Sequence, residues 1–198
     1  IIRNNTITNF ARGIELSNST DNIVDSNYIH TTSYYVTNSG SNYTWTNYGI
    51  YANNSDSLFI TANTIETGSG TLIYQTNGAS TIKYNLLETE SGRGISCENQ
   101  AGVEFSNNTI VSNYGSSDYG IHVSNLSAPI IKNNICVIHN GIIVNEKEVW
   151  KQLKSKRELK IDSEVIVAIA NEHIINGGKV EGLPKKILSM CRGVVACA

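Results

Sequence analysis

The sequence of 198 residues has little charge, little proline and no long apolar run. Charged residues make up 16% of it, the formal net charge is -2, and only 2 residues are proline. A nucleic-acid binder needs a basic excess to neutralise phosphates, so we expect no nucleic-acid partner. No apolar run approaches the roughly 18 residues that span a bilayer, which predicts no membrane span. The four cysteines lack zinc-like spacing, so we expect no metal, no cofactor and no disulfide framework.

The composition changes abruptly after Val137. Residues 1–137 hold 5 Lys or Arg and 10 Asp or Glu, a net charge of -5. Residues 138–198 hold 10 and 7 of these, a net charge of +3. All 10 tyrosines precede the change, and 8 of the 10 lysines follow it. The sequence therefore predicts two parts with different folds, 1–137 and 138–198.

A tripeptide of asparagine, any residue and an apolar residue recurs in the first part. It begins at Asn5, Asn27, Asn63, Asn85 and Asn108. An apolar residue, here called the anchor, stands 13 residues before each of five asparagines, the last being Asn134; the anchors are Ile14, Ile50, Leu72, Ile95 and Ile121. Four anchors directly follow a glycine: Gly13, Gly49, Gly94 and Gly120. The distance from an asparagine to the next anchor varies from 9 to 23 residues, so only one side of the repeat accepts insertions.

A repeat of about 22 residues with alternating apolar positions is typical of a parallel β-solenoid. We expect Ile14, Leu16, Val24 and Ile29 to point inward, as do the residues three before each asparagine: Val24, Ile60, Ile82, Phe105 and Ile131. Asparagine suits the turn, since it tolerates left-handed backbone and can bond its stacked neighbour. The pattern resembles the right-handed parallel β-helix of pectate-lyase-like proteins, over about residues 2–137 and five to six coils. That resemblance implies a mainly β fold and leaves the function open among lyases, hydrolases, epimerases, tailspikes and adhesins.

The positions three residues after each asparagine form a column that contains ionisable side chains. It reads Thr8, His30, Glu66, Glu88 and Val111 along successive coils. Stacked strands lie roughly 4.8 Å apart, so His30, Glu66 and Glu88 would be neighbours on the outer surface. Such groups can share acid and base work, which makes these three the candidate catalytic residues. The alternative is a solvated polar column without a role in catalysis.

An uncharged insertion at about residues 31–48 separates Asn27 from the next anchor. Its aromatic residues are the candidate glycan-binding residues, namely Tyr34, Tyr35, Tyr43, Trp45 and Tyr48. Aromatic rings offer faces to sugar C–H groups, and the many Asn, Ser and Thr residues offer hydrogen bonds to hydroxyls. The alternative is a loop that folds its rings onto the side of the solenoid.

The second part has the pattern of a small α/β segment. The repeat stops after Gly141, and Val149, Trp150 and Leu153 follow at helical spacing. A second helix is predicted at 163–175, capped by Asp162, with Ile166, Ile169, Ala170 and His173 on one face. A third helix is predicted from about 184 to 190. Gly193 ends it before an apolar strand.

Three motifs of this part, VIHNGIIVN, DSEVI and MCRGVVACA, resemble a class II glutamine amidotransferase. The glutaminase half of glucosamine-fructose-6-phosphate aminotransferase has similar motifs in the same order. The resemblance implies that Asn140 and Gly141 form an oxyanion hole and that Asp162 binds the α-amino group of glutamine. The nucleophile of that family is an N-terminal cysteine, whereas this chain begins with Ile1, so we expect no glutaminase activity. Alternatives are a helical cap on the solenoid, or one reading frame joining parts of two genes.

These observations leave three hypotheses for the function. The first is a β-helix that binds or processes a polysaccharide, as a lyase or a hydrolase, outside the cell or on its surface. The second is an inactive glutaminase fragment in the cytoplasm, and the third is a structural surface or spike repeat. An exposed first coil calls for a partner or for more chain, so we allow for an oligomer and expect that Ile1 is not the natural start.

Overall fold

The computed structural model describes residues 1–32, 35–38, 41–44, 47–100, 102–112, 119–159 and 161–197. The strands are β1 (Ile2–Arg3), β2 (Thr6–Phe10), β3 (Arg12–Thr20), β4 (Ile23–Asp25), β5 (Tyr28–Thr31), β6 (Tyr35–Asn38), β7 (Ser41–Thr44), β8 (Tyr48–Asp56), β9 (Leu58–Thr61), β10 (Thr64–Thr76), β11 (Ser80–Lys83), β12 (Leu86–Glu98), β13 (Glu104–Ser106), β14 (Thr109–Ser112), β15 (Tyr119–Ser124), β16 (Ile130–Lys132), β17 (Ile135–Ile143) and β18 (Gly193–Cys197). The helices are α1 (Glu146–Trp150), α2 (Glu164–Ile175) and α3 (Leu183–Met190), with a 3-10 helix at Val180–Gly182.

The first part of the chain is a parallel β-solenoid of about five turns, which confirms the predicted fold class. Its first face stacks β1, β4, β9, β11, β13 and β16. Its second face stacks β2, β5, β10, β12, β14 and β17. Its third face stacks β3, β8, β10, β12 and β15, because β10 and β12 run across the corner between two faces.

The inward positions form one continuous apolar core. Val24, Ile60, Ile82 and Phe105 are fully buried, as predicted, and Ile14 is 5% exposed. Ile131 is in register with the buried Phe105, as predicted, yet it is 52% exposed. This residue lies on β16, the last strand of the first face, so its neighbour on one side is Phe105 and no described strand follows on the other.

The repeated asparagines form a hydrogen-bonded ladder through the solenoid. The ladder runs along Asn5, Asn27, Asn63, Asn85, Asn108 and Asn134. From Asn27 onward, Oδ1 of each asparagine accepts from the backbone N–H and the side-chain amide of the asparagine one coil earlier, at distances of 2.9 to 3.1 Å. The predicted bonding between neighbours is confirmed. The left-handed backbone, however, belongs to the residue before each asparagine, as at Ser26, Ala62 and Tyr84.

The strand register corrects one anchor. Ile14, Ile50, Ile73, Ile95 and Ile121 stack on each other, so the anchor of the third coil is Ile73 rather than Leu72. Leu72 instead occupies the position that Gly13, Gly49, Gly94 and Gly120 hold in the other coils. A Cβ at Gly49 would collide with Cγ2 of Ile65, which explains the glycine before the anchor in that coil.

The second part packs on the outside of the last coils. Val111 and Val137 share a buried cluster with Val165 and Ile169 of α2, so this helix covers the outer surface of β14 and β17. The second half of β17 pairs antiparallel with β18. The division between 137 and 138 thus falls within one strand, and it stays a prediction. In the part of the chain that the structure describes, no helix is both long and apolar enough to cross a membrane.

The three predicted helices are found, with one change at a helix start. α2 and α3 begin and end within one residue of the prediction, while α1 ends at Trp150. Asp162 does not cap α2: Ser163 holds the N-cap position, and Oδ2 of Asp162 accepts the backbone N–H of Ile143 at 2.6 Å. The carboxylate therefore ties the helix start to β17 rather than to the first turn of its own helix.

Candidate functional site: an acidic groove on the second face

The column of His30, Glu66 and Glu88 is aligned as the sequence predicts. His30 is paired with Glu66 across β5 and β10, and Glu66 is paired with Glu88 across β10 and β12. The next residue of the column is Val111, which lies buried under α2. Three ionisable side chains thus occupy successive coils, beside the edge of the helical segment.

Two donors meet at one oxygen of Glu66. The hydroxyl of Tyr28 donates to Oε2 at 2.8 Å, and Nδ1 of His30 lies 3.2 Å from the same atom. The side chain of Glu66 is 19% exposed and that of His30 is 40% exposed, so the pair is open to solvent on one side. Burial raises the pKa of Tyr28 to about 12, with further contributions from its bond to Glu66 and from the charges of Glu66 and Glu88.

These residues line a groove of about 250 Å³, here called the acidic groove. Its described lining consists of His30, Thr31, Thr32, Glu66, Thr67, Gly68, Glu88 and Glu90. Thr31 is 1% exposed, and its hydroxyl has no hydrogen-bond partner among the described residues. No group of three or more His, Cys, Asp or Glu side chains within the described ranges is arranged to hold a metal ion.

Tyr48 is the one predicted aromatic residue whose side chain the structure describes. Its ring centroid lies 5.0 Å from that of Tyr51 and 5.4 Å from that of Tyr74. Tyr51 and Tyr74 stack at 5.5 Å with 11° between their planes. The guanidinium of Arg12 lies 4.4 Å from the ring centroid of Tyr51. This tyrosine cluster stands on the third face, one corner away from the acidic groove.

The structure does not describe the side chains of the other four predicted aromatic residues. Tyr34 and Trp45 lie outside the described residues. Tyr35 and Tyr43 belong to β6 and β7, which pair antiparallel, and their side chains are outside the description. Their proposed contact with a glycan therefore stays a prediction.

Residues 1–136 match the family model described as "Right handed beta helix region". The chain belongs to the right-handed β-helix family. The match covers all coils that carry the acidic groove and the tyrosine cluster, and it ends before the helical segment. No curated protein and no solved structure matches the chain significantly. The family assignment of this β-helix therefore establishes its fold and not its ligand.

A separate open pocket lies beside β17 of the β-helix. It has a volume of about 560 Å³, and its lining includes Gly141, Ile143 and Asp162. Two of the three residues in the predicted glutamine site are thus brought together. Asn140 is absent from the described lining and pairs with Ala196 of β18 instead.

The sequence prediction missed three tyrosines, one beside the acidic groove and two in the tyrosine cluster. Tyr28 stands two positions before His30, but its partner is Glu66 on the next coil, so the contact is diagonal to the column. Tyr51 and Tyr74 are paired residues of β8 and β10. Counting columns from Ile73 instead of Leu72 would have aligned the two tyrosines.

Proposed function

We propose that this β-helix binds a carbohydrate in the acidic groove. The observation that carries the proposal is the convergence of Tyr28 and His30 on Oε2 of Glu66, with Glu88 on the neighbouring coil. Carboxylates accept hydrogen bonds from sugar hydroxyls, and the hydroxyl of the partly exposed Thr32 can both donate and accept. A groove with a few convergent polar groups is also the usual form of a ligand site.

The tyrosine cluster supports a sugar rather than another polar ligand. Tyrosine rings offer apolar surface together with a hydroxyl, and the C–H groups of a sugar match this combination. Thr32 of the groove lies at the start of the insertion, and Tyr48 lies at its end. A glycan seated in the groove is therefore near both ends of the insertion and one corner away from the tyrosines.

Glycoside hydrolysis is the processing reaction that we propose for the groove. Glu66 and Glu88 are paired on adjacent strands, which places their backbones about 4.8 Å apart. Retaining glycosidases hold two carboxyl groups about 5 to 5.5 Å apart, one as nucleophile and the other as proton donor. Glu66, whose Oε2 accepts from Tyr28, is the candidate nucleophile. Glu88 is then the candidate proton donor to the glycosidic oxygen, and in the second step it would take a proton from the water that hydrolyses the glycosyl ester on Glu66.

A panel of neutral, basic and acidic oligosaccharides tests the proposal, with binding measured by calorimetry and cleavage by the release of reducing ends. We expect Glu66→Gln and Glu88→Gln each to lower cleavage by about 100-fold or more, the scale of a lost acid or base. Glu181→Gln is the control, because it removes one charge from the exposed 3-10 helix. The proposal fails if no glycan binds, or if binding and cleavage are the same in all three variants.

The insertion is tested separately. We expect the Tyr43→Ala/Trp45→Ala double variant to weaken glycan binding while leaving the unfolding free energy nearly unchanged. Unchanged affinity would limit the site to the groove. A purely structural repeat, the remaining alternative, predicts that changes in the insertion and in the groove affect stability alone.

A second candidate function concerns the pocket beside β17. Gly141 and Asp162 line it together, as the resemblance to glutamine amidotransferases requires of a glutamine site. We propose glutamine binding there as the alternative function of the helical segment. Calorimetry with glutamine checks it, and no measurable binding would remove this candidate.

A further inference from the structure

We infer that copies of this chain associate end to end, with the first coil of one copy stacked on the last coil of another. The inference goes beyond glycan binding and does not depend on it. The last coil consists of β15, β16 and the first half of β17, and each of these pairs on one side with a described strand of the preceding coil. The first coil consists of β1, β2 and β3, and their described partners also lie on one side. Both ends of the described solenoid thus present the kind of strand edge that can pair with another chain.

Inward-pointing apolar residues of the last coil are exposed to solvent. Ile131 is 52% exposed and Val123 is 37% exposed. Their register partners in the preceding coil, Phe105 and Cys97, are fully buried. The helical segment thus covers the outside of β14 and β17 and leaves these end positions open. A partner that covered them would gain the free energy of burying apolar surface.

The two ends of the asparagine ladder are complementary in hydrogen bonding. Asn108 donates its backbone N–H and its side-chain amide to Oδ1 of Asn134. Asn134 is the last member, and its own backbone N–H has no acceptor among the described residues. Asn5 is the first member, and its Oδ1 has no donor in the described ranges. A first coil stacked on the last coil would let Asn134 donate to Asn5 of another copy, in the geometry that the ladder repeats at every step.

The register of the strands also matches apolar residues across such a junction. The inward column that ends at Ile131 begins at Ile2. The inward column that ends at Val123 begins at Leu16. Stacking in register would therefore place Ile2 on Ile131 and Leu16 on Val123. The apolar core would continue from one copy into the next, which makes a second copy the partner that fits this surface.

The charged residues at the junction are compatible with this register. The column that ends at His122 begins at Glu15, so a carboxylate would meet an imidazole. The column that ends at Lys132 begins at Arg3, which brings two positive charges together. Each of these two cations already has a carboxylate oxygen of its own copy within 3.0 Å. Two negative charges therefore offset the two positive ones.

A contact between different surfaces of identical copies leaves a free surface at each end of the pair. A coaxial stack does not close into a ring, so the assembly should lengthen as the protein concentration rises. Sedimentation velocity measures this growth, and we expect the average mass to pass that of a dimer. Each of the first two faces has six strands, so electron microscopy should find an axial repeat of about 29 Å for each copy.

Two lysine substitutions block the two ends separately. Ile131→Lys puts a charge on the inward position of the last coil, and Ile2→Lys does so in the first coil. We expect each variant alone to associate about 10-fold or more weakly than the wild type, because the junction would bury that charge. An equal mixture of the two should form a dimer and stop there, since one intact junction remains. Ile175→Lys is the matched control, because Ile175 is 79% exposed at the end of α2, and it should associate like the wild type.

A second variant blocks the first coil without changing its core. The backbone N–H of Tyr28 donates to the carbonyl of Asn5, and Thr6 is the register partner of Tyr28. The N–H of Thr6 therefore points away from the second coil, and Thr6→Pro removes it from the strand edge. We expect Thr6→Pro to keep the unfolding free energy close to that of the wild type and to associate as weakly as Ile2→Lys.

The results decide for or against the stacked arrangement. A wild type that stays monomeric at every concentration would overturn the inference. Dimerisation of Ile131→Lys or of Thr6→Pro on its own would show that like ends meet, and this would overturn it too. Glycan binding is measured on dispersed copies, so the proposed function and this inference fail independently.

Discussion

The hydroxyl of Tyr28 donates to Oε2 of Glu66 at 2.8 Å, from one coil of the solenoid to the next. His30, two residues along the same strand, places Nδ1 3.2 Å from that oxygen. One carboxylate is therefore held by two side chains of a neighbouring strand. Its position depends on the register between β5 and β10, which the fixed repeat maintains.

The first prediction concerns the ionisation of Tyr28. Its pKa of about 12 in the folded protein exceeds the ordinary value of 10.0. Its contribution to the unfolding free energy is thus complete below pH 10 and is lost as the pH rises through 12. The difference of about 2 between these pKa values limits the contribution of Tyr28 to at most about 2.7 kcal/mol. Partial exposure of the side chain reduces it to about 1 kcal/mol.

Absorbance of tyrosinate measures this ionisation as the difference between the wild type and Tyr28→Phe. We expect the difference to titrate near pH 12. Glu66→Gln should lower the pKa of Tyr28 toward 10, because the variant removes the negative charge and weakens the hydrogen bond. A difference curve centred near pH 10 in the wild type would contradict the geometry.

The second prediction concerns the asparagine ladder. Oδ1 of Asn85 accepts twice from Asn63, and its Nδ2 donates to Ile60, Lys83 and Asn108. We expect Asn85→Ala to lower the unfolding free energy by about 2 to 4 kcal/mol, because it leaves several buried groups without partners. Urea unfolding measures this. Asn22→Ala is the control, since Asn22 makes one exposed bond to Thr20, and a loss of equal size there would contradict the ladder's role.

The third prediction concerns Gly49. A Cβ there would collide with Cγ2 of Ile65 and lie 2.6 Å from the carbonyl oxygen of Leu72. We expect Gly49→Ala to lower the unfolding free energy by about 1 to 3 kcal/mol through overpacking. Gly182→Ala is the control, because its Cβ would meet His173 at an ordinary distance of 3.4 Å. Equal melting temperatures for the two variants would show that the coils have room at Gly49.

The fourth prediction separates two roles of Asp162. Its Oδ2 accepts from the backbone N–H of Ile143, and an asparagine oxygen can do the same. We expect Asp162→Asn to change the unfolding free energy by less than about 1 kcal/mol and Asp162→Ala to lower it by about 1 to 2 kcal/mol. A glutamine site needs the charge, so calorimetry should find glutamine binding lost in Asp162→Asn if the wild type binds glutamine. Similar instability of both variants would refute the hydrogen-bonding role.

The sequence predicted the fold and the column of His30, Glu66 and Glu88 because a solenoid turns a constant spacing into direct contact. The constant spacing gave the wrong anchor in the third coil. The anchor there is Ile73, one residue later, and Leu72 takes the place that glycine has in the other coils. The exposure of Ile131 was also not predicted, since periodicity shows which way a side chain points and not whether another strand covers it.

The sequence could not predict contacts between residues of adjacent coils that are out of register with each other. The bond from Tyr28 to Glu66 depends on the length and rotamer of the tyrosine side chain, and neither follows from spacing. Likewise, Asp162 was predicted as a helix cap from local sequence, while its partner Ile143 comes from a strand 19 residues earlier.

The cover that α2 places over Val111 sets a limit on the size of a ligand. In the column, the ionisable residues His30, Glu66 and Glu88 are not covered by the helix, and they span two strand spacings, or about 10 Å. A sugar chain lying along the solenoid axis would therefore meet these three groups over roughly two residues of its length. A longer chain that extends toward Val111 must turn the corner toward Tyr48 or leave the protein surface at the helix.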